Sequence, residues 1–197
     1  MYNGHAETHI STDKENNASK QGTKDTSLLH TTLWLTGLPC SGKTTLAKRL
    51  KERLESPGFR VMHLDADEIR RGLSADLGFS LEDRRENIRR VAHVAKLFND
   101  NGNFVITSFV SPTDELRTMA RDIIGNFILV FVKCNLNTCE MRDTKGMYKK
   151  ARSGQIKEFT GVSSPFEEPS RADIIIDTEH NSIEDCVKEL MQKIGVF

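Results

Sequence analysis

Short apolar runs alternate with amphipathic segments between residue 31 and the end of this 197-residue chain. Runs rich in β-branched and aromatic residues, each bounded by polar or turn residues, predict five strands. They lie within TTLWLTG, FRVMHLD, NFVITSFVSP, NFILVFVKC and RADIIID. The NFILVFVKC run is almost continuously apolar, as in a strand covered on both faces.

Helical spacing of apolar residues fills the segments between these runs. Ile88, Val91, Ala95 and Phe98 form one stripe of a helix predicted over residues 83–100. Further helices are predicted from about Gly42, over TDELRTMARDII, and over residues 182–194. Strands that alternate with helices favour an α/β fold, here a three-layer, doubly wound parallel sheet.

Residues 1–30 are polar, with hardly an apolar side chain before Leu28, which predicts a disordered N-terminal tail. The tail has neither the apolar core of a secretion signal nor the acid-poor composition of a transit peptide. No apolar run approaches the ~18 residues of a membrane-spanning helix. We expect residues 31–197 to form one cytoplasmic domain with no membrane contact.

Composition excludes several partners. Lys plus Arg number 28, and so do Asp plus Glu. The chain therefore has no net positive charge that would favour binding to nucleic acid. The four cysteines and six histidines lack the spacing of a zinc site. Cys134 and Cys186 lie in apolar patterns typical of core thiols, which suits a reducing compartment.

The loop between the first strand and the first helix carries the strongest chemical signal. Gly37, Gly42, Lys43 and Thr44 satisfy the pattern G-x-x-x-x-G-K-[ST] in a strand–loop–helix context. Glycines let the backbone approach phosphate oxygens closely, and the helix N-terminus adds N–H groups that stabilise anions. The side chain of Lys43 would reach the β- and γ-phosphates, and the hydroxyl of Thr44 would bind Mg²⁺.

Polar residues follow the other strands at the same sheet edge, where ligands bind in such folds. Two carboxylates, Asp65 and Asp67, leave the second strand with the alternation that points both to one side. They would repel a nucleotide unless Mg²⁺ intervened, which suggests Asp65 in the metal's water shell and Asp67 as the acceptor of a hydroxyl proton. Alternatively, one of them caps the next helix.

Basic and aromatic residues offer a second set of ligands. Arg84 and Asn87 share one helix face. With Arg70, they are candidates for binding the substrate that accepts the transferred phosphate. The segment 142–169 is long, basic and glycine-punctuated, which is typical of a functional lid. Within it Phe159 could stack on a base or simply anchor the lid. Its basic residues, which would close over phosphates, are Lys145, Lys149, Lys150, Arg152 and Lys157.

From about Thr32 onward the chain resembles adenylylsulfate kinases, P-loop kinases that phosphorylate the 3′-hydroxyl of adenosine 5′-phosphosulfate. The matching stretches are GLPCSGKTT, LDADEIRRGLSADLGFSLEDRRENIRRVAHVAKLF, ITSFVSP and RDTKGMYKKARSGQIKEFTG. The resemblance implies a kinase that uses Mg²⁺ and ATP, is usually a homodimer, and can associate with ATP sulfurylase. The product would be 3′-phosphoadenosine 5′-phosphosulfate.

The resemblance also assigns residues. ATP would bind the loop and one downstream arginine, namely Gly37, Leu38, Pro39, Cys40, Ser41, Gly42, Lys43, Thr44, Thr45 and Arg142. The acceptor nucleotide would bind Arg70, Phe79, Arg84, Asn87, Ser111, Lys145 and Phe159, with its adenine between the two phenylalanines. Thr44 and Asp65 would bind the metal, and Lys43, Asp67 and Ser111 would take part in catalysis. Direct in-line transfer needs only positioning and charge neutralisation, so we expect Ser111 to bind substrate.

Two departures from the family pattern raise alternatives. The chain has D-A-D-E where the family usually has D-G-D-N. The added charge of Glu68 beside the acceptor is the best support for the alternative to adenylylsulfate kinase, a related kinase that acts on another sulfate-like nucleotide such as a cytidine diphosphoramidate. Pro39 and Cys40 stand where the family tends to have Ser and Gly. Lys43 and the helix N-terminus should lower the pKa of the Cys40 thiol, so its oxidation could block ATP binding. A nucleotide-dependent switch without turnover is a third possibility. The chain lacks, however, the Asn-Lys-x-Asp motif by which a GTPase switch recognises guanine.

Overall fold

The computed structural model describes residues 30–56 and 58–196. Five parallel strands form one sheet in the order β2-β3-β1-β4-β5. Their bounds are β1 Thr32–Thr36, β2 Val61–Asp65, β3 Phe104–Ser108, β4 Phe127–Lys133 and β5 Ile174–Asp177. The helices are α1 Lys43–Glu55, α2 Ala66–Arg71, α3 Leu81–Asp100, α4 Asp114–Ile124, α5 Leu136–Met141, α6 Met147–Arg152 and α7 Ile183–Lys193. The predicted doubly wound α/β fold is confirmed.

Strand β1 lies at the centre of the sheet and is buried along its whole length. Leu33 and Leu35 pack on one face against the helices α1 and α7. Trp34 packs on the other face, which α3 and α4 cover, and its ring stacks on Phe109 and Phe127. Because helices cover both faces, the central strands can be apolar at successive positions, as the sequence indicated.

Of three short helices, only the first was considered from the sequence, as the helix that Asp65 or Asp67 would cap. Helix α2 follows β2 directly, α5 follows β4, and α6 lies inside the segment predicted as a lid. Each of the three has only 6 residues, too short for a periodic apolar stripe to stand out. Strand β3 also ends earlier than predicted, at Ser108 rather than near Pro112. The backbone turns there, since Ser111 has φ of 42°.

The segment 142–169 is held against the loop that follows β1. Tyr148 of α6 is fully buried and donates a hydrogen bond to the carbonyl of Pro39 at 2.9 Å. Its ring contacts Phe159 edge to face, with centroids 4.9 Å apart. Phe159 therefore anchors this segment as well as facing the site described below.

Three cysteines, Cys134, Cys139 and Cys186, are buried free thiols, which confirms the interpretation of Cys134 and Cys186 as core residues. Among the described residues, no helix is both long and apolar enough to span a bilayer. The predicted tail of residues 1–30 lies outside the described residues apart from His30.

Candidate active site

The loop between β1 and α1 has the backbone of a phosphate cradle. Gly37 has φ of 152°, and a Cβ there would lie 2.5 Å from the carbonyl oxygen of Val132. Gly42 adopts φ of 94° and leads into α1. No side chain caps the start of this helix, so its first N–H groups are left for an anion. The loop thus provides what the sequence motif predicted.

Lys43 is folded over this loop. Its Nζ donates to the carbonyls of Gly37 at 2.9 Å and Leu38 at 2.6 Å. Burial lowers the pKa of its ammonium to about 8, although the neighbouring cysteines and Asp65 oppose this shift. Phosphate oxygens in the loop would supply the negative charge that the buried ammonium lacks.

Asp65 lies between the loop and the third strand. Its Oδ2 accepts hydrogen bonds from the hydroxyls of Thr44 and Ser108, both at 2.8 Å. Burial raises the pKa of this carboxyl, but those two hydroxyls and the amide of Asp67 outweigh it, so the net pKa is lowered. An ionised carboxylate beside a threonine hydroxyl fits a hard cation such as Mg²⁺.

Of the alternatives weighed for Asp65 and Asp67, the structure shows the helix cap. Asp65 is the N-cap of α2, because its Oδ1 accepts the amide of Asp67 at 3.0 Å. Asp67 belongs to this helix, so the predicted strand alternation does not apply to it. Both carboxylates nevertheless face one cavity.

Two cavities adjoin the phosphate loop, and the first, of about 520 Å³, opens beside α1. Arg142 lines it and donates to the carbonyl of Thr178 at 2.8 Å. Four further lining residues escaped the sequence analysis: Thr178, Asn181, Ile183 and Cys186. Thr178 and Asn181 could have been found from the rule that placed ligands at strand ends, since they follow β5 directly.

The second cavity, of about 390 Å³, lies between α2, α3 and segment 142–169. All seven residues assigned to the acceptor line it: Arg70, Phe79, Arg84, Asn87, Ser111, Lys145 and Phe159. Cys40, Lys43, Thr44 and Lys145 line both cavities, so the two meet at the phosphate loop. Gly37, Leu38 and Ser41 line neither cavity.

The second cavity contains an unpaired polar atom and an exposed aromatic ring. Asn87 is 3% exposed, and its buried Oδ1 has no hydrogen-bond partner. The guanidinium of Arg70 lies 4.4 Å from the centroid of the Phe79 ring, and that of Arg84 lies 5.7 Å away. Phe79 is 55% exposed, so one aromatic surface remains open to a planar group.

At the junction of the cavities, Lys145 Nζ lies 2.8 Å from Oδ2 of Asp67. The hydrogen bond to Asp67 raises the pKa of the Lys145 ammonium, which therefore stays charged. Of the five basic residues predicted to close over phosphates, only Lys145 lines these cavities. Arg152 instead forms a two-bond ion pair with Glu140.

Two expectations drawn from the departures are wrong. The pKa of the Cys40 thiol is raised, because burial and the carboxylate of Asp143 outweigh Lys43 and Lys145. Glu68 adds no charge beside the acceptor, since it pairs with Arg71 at 2.7 Å, is 70% exposed and does not line the second cavity. The structural support for another acceptor is thereby lost.

A parallel α/β sheet with a phosphate loop and two cavities that meet at its lysine defines a P-loop kinase. Residues 29–177 match the family model described as Adenylylsulphate kinase. The chain belongs to this family.

Curated relatives agree with the match. The adenylyl-sulfate kinase of Bacillus licheniformis is 49% identical over 164 residues, which cover 82% of this chain and 83% of the relative. That of Bacillus pumilus is 44% identical over 196 residues, or 98% of each chain. A solved structure of the Mycobacterium tuberculosis APS kinase in complex with AMPPNP and APS is 40% identical, with a TM-score of 0.82. That alignment covers 85% of this chain and 98% of the other.

Proposed function

We propose that this enzyme transfers the γ-phosphate of ATP to the 3′-hydroxyl of adenosine 5′-phosphosulfate. The product is 3′-phosphoadenosine 5′-phosphosulfate, an activated form of sulfate. The observation that carries this assignment is the meeting of the two cavities at Lys43, Thr44 and Lys145. A related enzyme holds an ATP analogue and APS together.

The first cavity suits ATP. The triphosphate would lie in residues 37–45, with Lys43 on the β- and γ-phosphates and Arg142 beside the base. Thr44 and Asp65 would hold Mg²⁺, which would neutralise part of the negative charge of the phosphates. Thr178 Oγ1 donates to the carbonyl of Ser41 at 2.7 Å and fixes the loop against the end of β5.

The second cavity suits the acceptor nucleotide. Phe79 and Phe159 would stack on its adenine, while Arg70, Arg84 and Lys145 would neutralise phosphate and sulfate. Asn87 offers an unpaired amide oxygen to a nucleotide N–H or hydroxyl. Asp67 would accept the proton of the attacking 3′-hydroxyl, and Lys145 would orient its carboxylate.

The test is a coupled assay of ADP release with purified protein and MgATP. Adenosine 5′-phosphosulfate should give rapid release, and the product should carry a new 3′-phosphate. Cytidine diphosphoramidate, offered as an alternative acceptor, should give little. Preference for the cytidine compound would overturn the assignment, and ATP binding without turnover on either acceptor would indicate a non-enzymatic binding protein.

Assembly and location are further parts of this proposal. A homodimer and an association with ATP sulfurylase are carried over from the family resemblance. A cytoplasmic location is supported by the four free thiols, because reducing compartments keep cysteines unpaired.

A further inference from the structure

A chain of hydrogen bonds runs from His63 to the predicted magnesium site. Nε2 of His63 lies 2.9 Å from Oγ of Ser108. That hydroxyl lies 2.8 Å from Oδ2 of Asp65, which also accepts the hydroxyl of Thr44.

The direction of this chain follows from counting protons. Ser108 has one hydroxyl proton, and a carboxylate can only accept, so Ser108 donates to Asp65. Ser108 must then accept from His63, whose Nε2 therefore carries hydrogen. Asp65 likewise accepts a hydrogen bond from the hydroxyl of Thr44, which leaves the lone pairs of the threonine oxygen for other ligands.

The fold places these groups rigidly. Asp65 and Ser108 are paired residues of the neighbouring strands β2 and β3. Ser108 is 2% exposed, so water cannot easily replace either of its partners. His63 is partly buried on β2, near Lys48 and Lys51 of α1 as well as Asp65.

We propose that His63 and Ser108 are positioning residues that orient Asp65, and through it Thr44, for Mg²⁺ bound with ATP. The inference rests on the proposed function for the metal site, but it is independent of the acceptor. Partners that orient metal ligands typically contribute 10–100-fold to metal affinity. Loss of these hydrogen bonds should therefore weaken the binding of Mg²⁺ and leave the contacts between the loop and phosphate intact.

The experiment measures binding of a non-hydrolysable ATP analogue by calorimetry, with EDTA and across a Mg²⁺ titration. Ser108→Ala and His63→Leu should each weaken the apparent Mg²⁺ affinity by about tenfold, while nucleotide affinity in EDTA stays that of the wild type. His63→Gln, whose amide can still donate, should restore most of the lost affinity.

Thr107→Val is the matched control on the same strand. Thr107 is fully buried, and its hydroxyl has no hydrogen-bond partner, so its removal should not change the Mg²⁺ titration. Wild-type Mg²⁺ dependence in Ser108→Ala would overturn the proposal. Equal losses in EDTA and in Mg²⁺ would also overturn it, because the two residues would then support only the fold.

The acceptor is absent from these titrations. A wild-type enzyme that binds MgATP but ignores adenosine 5′-phosphosulfate would refute the proposed function and leave this inference standing. The reverse result, turnover with an unchanged metal titration in every variant, would refute the inference alone.

Discussion

The indole N–H of Trp34 donates a hydrogen bond of 2.9 Å to Oγ of Ser111. Both side chains are buried, and the bond joins the central strand to the floor of the second cavity. Because the serine oxygen accepts this bond, its own proton is free to point toward a ligand. The arrangement supports Ser111 as a donor to the acceptor substrate rather than as a nucleophile.

Removing the hydroxyl of Ser111 should therefore raise KM for adenosine 5′-phosphosulfate without abolishing transfer. The loss of one buried hydrogen bond to a charged group is worth about 1.5–3 kcal/mol, or roughly 10–150-fold. Steady-state kinetics of Ser111→Ala and Ser111→Gly should show this effect to the same extent. Because φ at this position is 42°, the glycine variant should also be the more stable of the two.

A phosphoserine mechanism makes the opposite forecast for these variants. Transfer would then stop in both, and wild-type protein incubated with labelled ATP would carry label on Ser111. The fluorescence of Trp34, the single tryptophan of the chain, gives an independent measure of the surroundings of Ser111. Its emission should shift in both variants because the indole loses its hydrogen-bond partner.

Nucleotide affinity should fall as pH rises through about 8. The ammonium form of Lys43 binds phosphate, and its pKa in the free protein is lowered to about 8. Below that pH the lysine is already charged, whereas above it binding must take up a proton. Phosphate loses its second proton near pH ~6, so its own titration does not produce the change.

Calorimetry at pH 7 and pH 9.5, in buffers of different ionisation enthalpy, measures both quantities. Proton uptake should be present only at the higher pH. Lys43→Met should bind nucleotide weakly at both values and lose the pH dependence. Proton uptake that persisted in this variant would assign the titration to another group.

Sequence reasoning succeeded where a local pattern dictates local geometry. The loop from Gly37 to Thr44 was predicted because all its motif residues lie within one short stretch of sequence, between a strand and a helix. The second cavity was predicted only in part from the residues, which made Arg70, Arg84, Asn87 and Phe159 candidates, whereas Phe79 and Ser111 came from the family resemblance. Nothing in their spacing says that they meet.

Other features depend on tertiary contacts that no pattern encodes. The reactivity expected for Cys40 was wrong because burial and Asp143 outweigh two nearby lysines. The charge of Glu68 was misplaced because α2, a helix of 6 residues, turns it toward Arg71. Thr178 and Asn181, by contrast, were missed only because the rule that places ligands at strand ends was not applied to the last strand.

Asp67→Asn should lower kcat by about 10²–10⁴-fold, the usual contribution of a general base. Its stability should hardly change, because the ion pair with Lys145 is exposed and such pairs contribute about 0–1 kcal/mol. Glu68→Gln, one position along the same helix, is the matched control and should keep wild-type kinetics. A kcat for Asp67→Asn within threefold of wild type would remove Asp67 from the chemistry.

Arg117 should prove to be the main structural support of the acceptor cavity. It is 2% exposed, and its guanidinium donates to the carbonyls of Ser111 at 2.7 Å and Glu167 at 2.8 Å, and to Asp114 at 2.7 Å. Arg117→Met takes the guanidinium donors away from these three acceptors and should destabilise the fold by about 3 kcal/mol. Arg117→Lys should recover only part of this, since one ammonium cannot reproduce a planar fork of donors.

Urea unfolding followed by Trp34 fluorescence, together with KM for the acceptor, measures both consequences of losing Arg117. Arg121→Met on the same helix is the control, because Arg121 pairs with Asp173 at a half-exposed site and its removal should cost no more than about 1 kcal/mol. If Arg117→Met were as stable as Arg121→Met and kept the wild-type KM, Ser111 would have to be held by Trp34 and Thr36 alone. The strained backbone at Ser111 would then need no buried charge to maintain it.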